Sequence, residues 1–145
     1  MRLVANDLTI LEVVVSRTYE FLNECGTFYL ATINENKPAV RPFGAIMELE
    51  GELYFSTANT KDVYSQLKKN QLIQIIALKT GTRDWIRIDG KAVEEYDSNI
   101  KQEMLNNFPV LLRRFDTKNC EYFALFKIVE MMSQLYTNDG VINLT

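Results

Sequence analysis

The stretch Thr27-Phe-Tyr-Leu-Ala-Thr-Ile-Asn-Glu-Asn-Lys-Pro-Ala-Val-Arg-Pro-Phe-Gly44, with Glu50-Gly51 and Glu52-Leu-Tyr-Phe-Ser-Thr57 after it, decides the fold. Thr27 to Ile33 is rich in β-branched and aromatic residues and reads as a strand. Asn34-Glu-Asn-Lys37 is a turn, and Pro38 to Glu48 returns as a second strand. Glu50-Gly51 makes a tight turn into Glu52–Thr57. Strands joined by such short turns pair antiparallel, because a parallel pair needs a long crossover.

Upstream, Asp7 is placed to cap a helix starting near Leu8. Leu11, Val14, Val15, Thr18, Phe21 and Leu22 recur at helical spacing, and Gly26 is a plausible stop. Downstream, Asn59 or Thr60 is expected to cap a helix through Lys61, Val63, Gln66 and Leu67 to about Lys69. Leu72 to Lys79 reads as a strand broken by Thr80-Gly-Thr82. Asp84 to Glu95 is a further strand, with Asp89-Gly90 as a bend or bulge. Ser98 is expected to cap a helix through Met104 and Leu105 that ends near Pro109. Leu111, Leu112 and Phe115 add a short extra turn, Cys120 to Leu135 forms the last strand, and Tyr136 onward reads as a tail. The expectation is one mainly β domain over residues 1–145: a six-stranded antiparallel sheet with flanking helices. Closing into a barrel is the economical way to remove its edges.

Composition narrows the function classes. With 47% hydrophobic and 24% charged residues the chain is globular rather than disordered. A formal net charge of -3 gives no reason to expect nucleic acid or an anionic membrane as main partner. No apolar run approaches the roughly 18–20 residues that span a bilayer. No secretory leader is recognisable either. The expectation is a cytoplasmic protein with reduced thiols. The chain contains no histidine, which removes histidine triads, histidine-ligated zinc and histidine-ligated haem. Cys25 and Cys120 lack companion ligands, so no metal site is expected, and both read as buried, inert thiols.

The chemistry sits in Arg41-Pro-Phe-Gly-Ala45 and Tyr54-Phe-Ser-Thr-Ala-Asn-Thr-Lys61. A cation on one strand accompanies a polar strand end that feeds a helix start. Helix starts offer free N–H groups and a positive dipole end, which suit an anion. Lys61 would be in the first helical turn, where a bound phosphate offsets its repulsion from the dipole. Arg41 offers a bidentate fork, and Ser56, Thr57 and Thr60 add hydroxyls. From these residues alone, Arg41 and Lys61 fit equally well as solvated surface charges. Trp85 stays open between a ligand contact and an oligomer core, and Asp84 between tuning a ligand and capping a turn. Tyr54, Phe55, Phe28 and Tyr29 read as plain core, and Arg83, Arg87 and Arg113-Arg114 as surface cations.

The order of these segments, ending in Leu67-Lys-Lys-Asn70, Ile73 to Ala77 and Asp84-Trp-Ile-Arg-Ile-Asp-Gly-Lys-Ala92, resembles the pyridoxamine 5′-phosphate oxidase-like FMN-binding split barrels. It is most similar to the short members grouped with nitroimidazole-resistance reductases. The resemblance runs from about Glu20 to Tyr136. It implies FMN bound at the interface of a homodimer. Arg41 and Lys61 would hold the phosphate with Ser56 and Thr57 beside it, and Asn59 and Thr60 would complete the cradle. Pro42 and Phe43 would line the isoalloxazine ring, and Asp84-Trp85 would come from the partner subunit. The implied activity is flavin-dependent oxidation or reduction of a small molecule, with no side chain required as general acid or base. A non-catalytic flavin-binding module, or a binder of another phosphorylated or planar ligand such as a deazaflavin, is the alternative.

Overall fold

A computed structural model describes residues 2–115, 117 and 120–144, with side chains from residue 12 onward. The chain runs α1 (Arg2–Cys25), β1 (Phe28–Asn34), β2 (Lys37–Phe43), β3 (Met47–Leu49), β4 (Glu52–Ala58), α2 (Asp62–Lys69), β5 (Leu72–Leu78) and β6 (Trp85–Glu95). There follow α3 (Ser98–Asn107), a 3₁₀ turn (Pro109–Leu111), α4 (Leu112–Phe115), β7 (Phe123–Thr137) and β8 (Gly140–Asn143).

The sheet order is β2-β1-β5-β6-β7-β4-β3, with β8 added to β7, and every pairing is antiparallel. β2 and β3 are consecutive in sequence yet do not pair, so the curved sheet is left split between them. The architecture is mainly β, a split barrel with flanking helices. Eight strands stand among the described residues where six were expected. The expected strand from Pro38 to Glu48 breaks at Gly44–Ile46 into β2 and β3, and the expected tail folds back from Thr137 as β8. The short turn Asn138-Asp139 makes that hairpin possible.

Helix α1 begins at Arg2, so Asp7 lies inside it rather than capping it, and the side chain of Leu11 lies outside those described. Val14, Val15, Thr18 and Leu22 form its buried stripe. Gly26 ends it at φ +76, with its N–H bonded to Leu22 O. That left-handed turn is where glycine avoids the Cβ clash other residues meet. Thr18 Oγ1 donates to Ser133 Oγ at 2.9 Å, satisfying two buried hydroxyls and tying α1 to β7.

Strand β4 is buried on both faces after its first residue. Leu53 and Phe55 enter the barrel core with Phe28, Leu30, Ile75, Ile86, Ile88 and Phe126. Tyr54 and Ala58 point the other way, into a second core with Met104, Leu105, Phe115 and Phe123 beneath α3 and α4. Period-two alternation thus makes one strand serve two cores. Burying Phe55 contributes about 1.5–3 kcal/mol by area transfer. Tyr29, read as core, is instead 45% exposed, because Phe28 and Leu30 take the inward positions of β1.

The expected bulge falls at Gly90, where the β6–β7 register shifts between Asp89↔Met132 and Lys91↔Val129. The extra residue is on β7, where Glu130 adopts φ 52. A Cβ on Gly90 would meet Val129 O at 3.0 Å and Ile128 Cγ2 at 3.3 Å, so the bulge needs glycine opposite it.

Candidate functional site

Arg41 stands on β2 opposite Leu30 of β1. Its Nη1 donates to Thr32 Oγ1 at 2.8 Å and to Leu30 O at 3.3 Å, and its Nη2 donates to Gln66 Oε1 at 2.8 Å. Thr32 Oγ1 in turn donates to Gln66 Oε1 at 2.6 Å. Both Thr32 and Gln66 are buried. The guanidinium is therefore held by three neutral acceptors, and among the described residues no carboxylate lies within ion-pair distance of it. Burial pulls its pKa below the ordinary value, and the charge of Asp62 opposes that shift. A fixed, half-buried cation without a counter-ion is what an anion site requires.

Lys61 comes to the same place from the other side. It is the N-cap of α2, so the helix starts one or two residues later than expected, and the cap has no side-chain hydrogen bond. Asn59 and Thr60 precede the cap in a turn closed by Lys61 N–H to Ala58 O. Neither caps the helix. Asn59 is drawn away because its N–H bonds Tyr122 O and its Nδ2 donates to Glu121 O. Lys61 is exposed, and among the described residues no hydrogen bond or ion pair holds its ammonium.

Two adjoining clefts share Arg41, Lys61 and Val63. One, of about 640 Å³, adds Thr60, Asp62 and Gln66. The other, of about 320 Å³, adds Pro42, Phe43, Ser56, Thr57, Leu111 and Arg114. Among the described residues, Asp62 is the only acid lining either cleft, and it sits at the helix N-terminus, where the dipole favours it. Phe43 is held against Phe28 at 5.9 Å and Phe55 at 5.6 Å between ring centroids, so the apolar wall is rigid. A larger hollow of about 670 Å³ lies elsewhere, on the outer sheet face near Ala31, Ile33, Leu72 and Gln74. The convergence of cations and hydroxyls, not volume, makes these two clefts the candidate site. Both fall in the roughly 300–1,000 Å³ range of small-molecule pockets.

Helix α2 is locked from its far side. Glu94, on β6, accepts hydrogen bonds from Tyr64 at 2.7 Å, Lys68 at 3.0 Å and Tyr96 at 3.0 Å. Burial pushes the Glu94 carboxyl up, but these donors and the Lys68 charge outweigh it, leaving the group below its ordinary range. The Glu94 bond raises Tyr64, and bonds to Tyr96 and Glu94 raise Lys68. The helix that presents Lys61 and Gln66 is thus fixed at both faces.

Of the residues expected at the site, Arg41, Pro42, Phe43, Ser56, Thr57, Thr60 and Lys61 line these clefts. Asn59 lines a different hollow, and Asp84 and Trp85 lie at the start of β6, away from both clefts of their own chain. Trp85 stacks on Tyr136 with centroids 4.1 Å apart, and Arg87, read as a surface cation, lies over both rings. Thr32, Gln66 and Arg114 were not anticipated. Gln66 left a signal, a polar residue between Val63 and Leu67 on a helix's buried face. Cys25 and Cys120 are half-buried rather than buried, and burial and the neighbouring Glu24 push the Cys25 thiol up, which suppresses thiolate.

Among the described residues, no helix is long and apolar enough to cross a membrane. No curated protein matches the chain. A crystal structure of a NimC/NimA family protein from Clostridium acetobutylicum is 30% identical, over 93% of this chain and 94% of that one, with TM-score 0.89. A pyridoxamine 5′-phosphate oxidase-related, FMN binding protein from Nostoc punctiforme is 16% identical, over 96% and 86%, with TM-score 0.66. The heme storage protein HutZ from Vibrio cholerae is 16% identical, over 78% and 87%, with TM-score 0.63. At these last two identities the likeness is one of fold. The family model for pyridoxamine 5′-phosphate oxidase matches residues 16–112, a span holding all of β1 to β6 and both clefts' cations except Arg114. By that match and by the fold, this chain belongs to the pyridoxamine 5′-phosphate oxidase family.

Proposed function

We propose that the protein is an FMN-dependent oxidoreductase that works as a homodimer on a small-molecule substrate. The observation that carries the reading is Arg41, a cation fixed by Thr32 and Gln66 beside Lys61 and left, among the described residues, without a carboxylate partner. A phosphate monoester brings about −1.5 to −2 charge, which two such cations match. The uncapped start of α2 adds backbone donors to the same place. Ser56 and Thr57 offer hydroxyls, and Pro42, Phe43 and Leu111 offer an apolar wall for a planar ring. When bound, FMN supplies hydride acceptance and donation, and the chain supplies binding, orientation and exclusion of water. That division of labour suits a site without histidine.

The second copy is drawn by the outer face of β1, β5 and β6. Tyr29, Ile76 and Leu78 are exposed there, and Leu78 pairs with Trp85 across the sheet. Such a patch marks an interaction surface. A copy seated on it carries Asp84 and Trp85, which their own clefts do not use. The whole chain, residues 1–145, acts as one domain in this reading.

Arg41→Ala and Lys61→Ala should each weaken FMN binding by about 1.5–3 kcal/mol, the worth of a charge-assisted hydrogen bond. Fluorescence titration measures this. Unchanged affinity in both variants removes the phosphate assignment. Oxidation of a reduced nicotinamide by the FMN-loaded protein separates an enzyme from a flavin carrier.

A further inference from the structure

The cleft that holds Pro42 and Phe43 has a third cation. Arg114, on the short helix α4, lines it together with Leu111, Ser56 and Thr57. Arg114 is far in sequence from Arg41 and Lys61, and it lies outside the 16–112 span matched by the family model. The Arg114 side chain is exposed, and the helix that carries it is anchored by the next residue. Phe115 is buried in the second core and packs on Phe123 with ring centroids 4.8 Å apart. That anchor holds α4 over the cleft. Leu111 comes from the same segment, so apolar and cationic groups reach the cleft side by side.

Among the described residues this cleft holds three cations, Arg41, Lys61 and Arg114, and no counter-charge for them. No acid among the described residues lines it. Arg114 has no ion pair among the described residues. One phosphate is matched by Arg41 and Lys61, which also line the adjoining cleft where Thr60 and Gln66 stand. Arg114 does not line that adjoining cleft. A surplus cation beside an apolar wall, on the ring side rather than the phosphate side, is placed to meet a second anionic group.

We propose that Arg114 is a substrate-binding residue that selects molecules carrying a carboxylate on a planar or apolar body. The proposal rests on the flavin reading above, in which Arg41 and Lys61 are occupied by the cofactor phosphate. Leu111 and Phe43 contact the body, and the Arg114 fork takes the carboxylate.

The test uses the full-length protein loaded with FMN, with 4-nitrobenzoate as the anionic probe and 4-nitrobenzamide as its neutral counterpart of similar shape. Binding is read from perturbation of the flavin absorption bands, without turnover. Wild type should bind the carboxylate at least about tenfold more tightly than the amide, the scale of one charge-assisted hydrogen bond. Arg114→Gln should reduce that preference to within about twofold, and Arg114→Lys should retain part of it, since lysine keeps the charge without the fork. A direct FMN titration of Arg114→Gln accompanies it. A preference that survives in Arg114→Gln overturns the proposal, and so does a wild type with no preference. A large loss of FMN affinity in Arg114→Gln also overturns it, by assigning Arg114 to the cofactor instead. A wild type that takes up no FMN overturns the flavin reading and this proposal together, an outcome distinct from the other three.

Discussion

Gln66→Met isolates the arrangement that fixes Arg41. The substitution keeps the length of the side chain and removes its acceptor. Two hydrogen bonds are lost, Arg41 Nη2 at 2.8 Å and Thr32 Oγ1 at 2.6 Å, both ending on Gln66 Oε1. The first involves a charge and contributes roughly 1.5–3 kcal/mol, and the second roughly 0.5–1.5 kcal/mol. Arg41 borders an open cleft, so water replaces part of the first bond, and a net loss of about 2 kcal/mol is expected. For a chain of this size that lowers the melting temperature by roughly 6–8 °C. Urea denaturation followed by tryptophan fluorescence measures it, Trp85 being the only tryptophan. The same variant should bind FMN about 2- to 10-fold more weakly, because Arg41 must then be ordered on binding at a cost of roughly 0.5–1.5 kcal/mol. Thr32→Val in a double-mutant cycle should show coupling with Gln66→Met, since the two side chains share a bond. A stability loss below about 0.5 kcal/mol, the scale of ordinary surface substitutions, would refute the claim that Gln66 holds Arg41 in place.

Three other perturbations reach different parts of the structure. Gly90→Ala should destabilise by about 1–3 kcal/mol through overpacking at the β6–β7 bulge, where the added Cβ meets Val129 O, and a urea midpoint unchanged from wild type would count against the bulge geometry. Burial pushes the Tyr54 hydroxyl up to about 12, with the charges of Glu95, Glu52, Glu50 and Asp97 adding to it. Its folded pKa lies above the unfolded value near 10, so its contribution is intact below about pH 10 and is lost as pH rises toward the folded pKa. Tyr54→Phe should flatten that alkaline limb of the stability profile, and an equally steep limb in the variant would contradict the assignment. Ile76→Asp should convert the proposed homodimer to monomer, because it places a charge in the exposed apolar patch of Ile76, Leu78 and Tyr29; light scattering that still reports a dimer moves the interface elsewhere.

Much of this fold is written locally. The hairpins from Thr27 to Thr57 and the stop at Gly26 depend on turn chemistry within a few residues, whereas the bulge that Asp89-Gly90 signals has its extra residue on β7. One of the misplaced helix starts is also local. Asp97 and Ser98 are both good caps and adjacent, and the structure uses Asp97, whose side chain accepts from the N–H groups of Asn99 and Ile100. Asn59 lost its expected cap role to partners on the approach to β7, which no local signal reveals. β8 is a short edge strand with every residue exposed, so it lacks the alternation that identifies a half-buried strand.

The site divides the same way. Arg41, Lys61, Ser56 and Thr57 stand in two short motifs and were legible as a constellation. Thr32 and Gln66 became visible only when β1, β2 and α2 were brought together, since their hydrogen bond links residues 34 positions apart. Arg114 depends on Phe115 docking into the second core, a packing event outside any motif. Arg87 looked like a surface ion-pair partner and instead lies over Trp85 and Tyr136, a contact made across β6 and β7.

The visible absorption spectrum of the purified protein, recorded before and after addition of FMN and removal of excess, tests the central claim most directly. The account predicts flavin bands retained at about one FMN per chain, with retention lost in Arg41→Ala combined with Lys61→Ala. A folded but colourless protein that leaves added FMN free would contradict it.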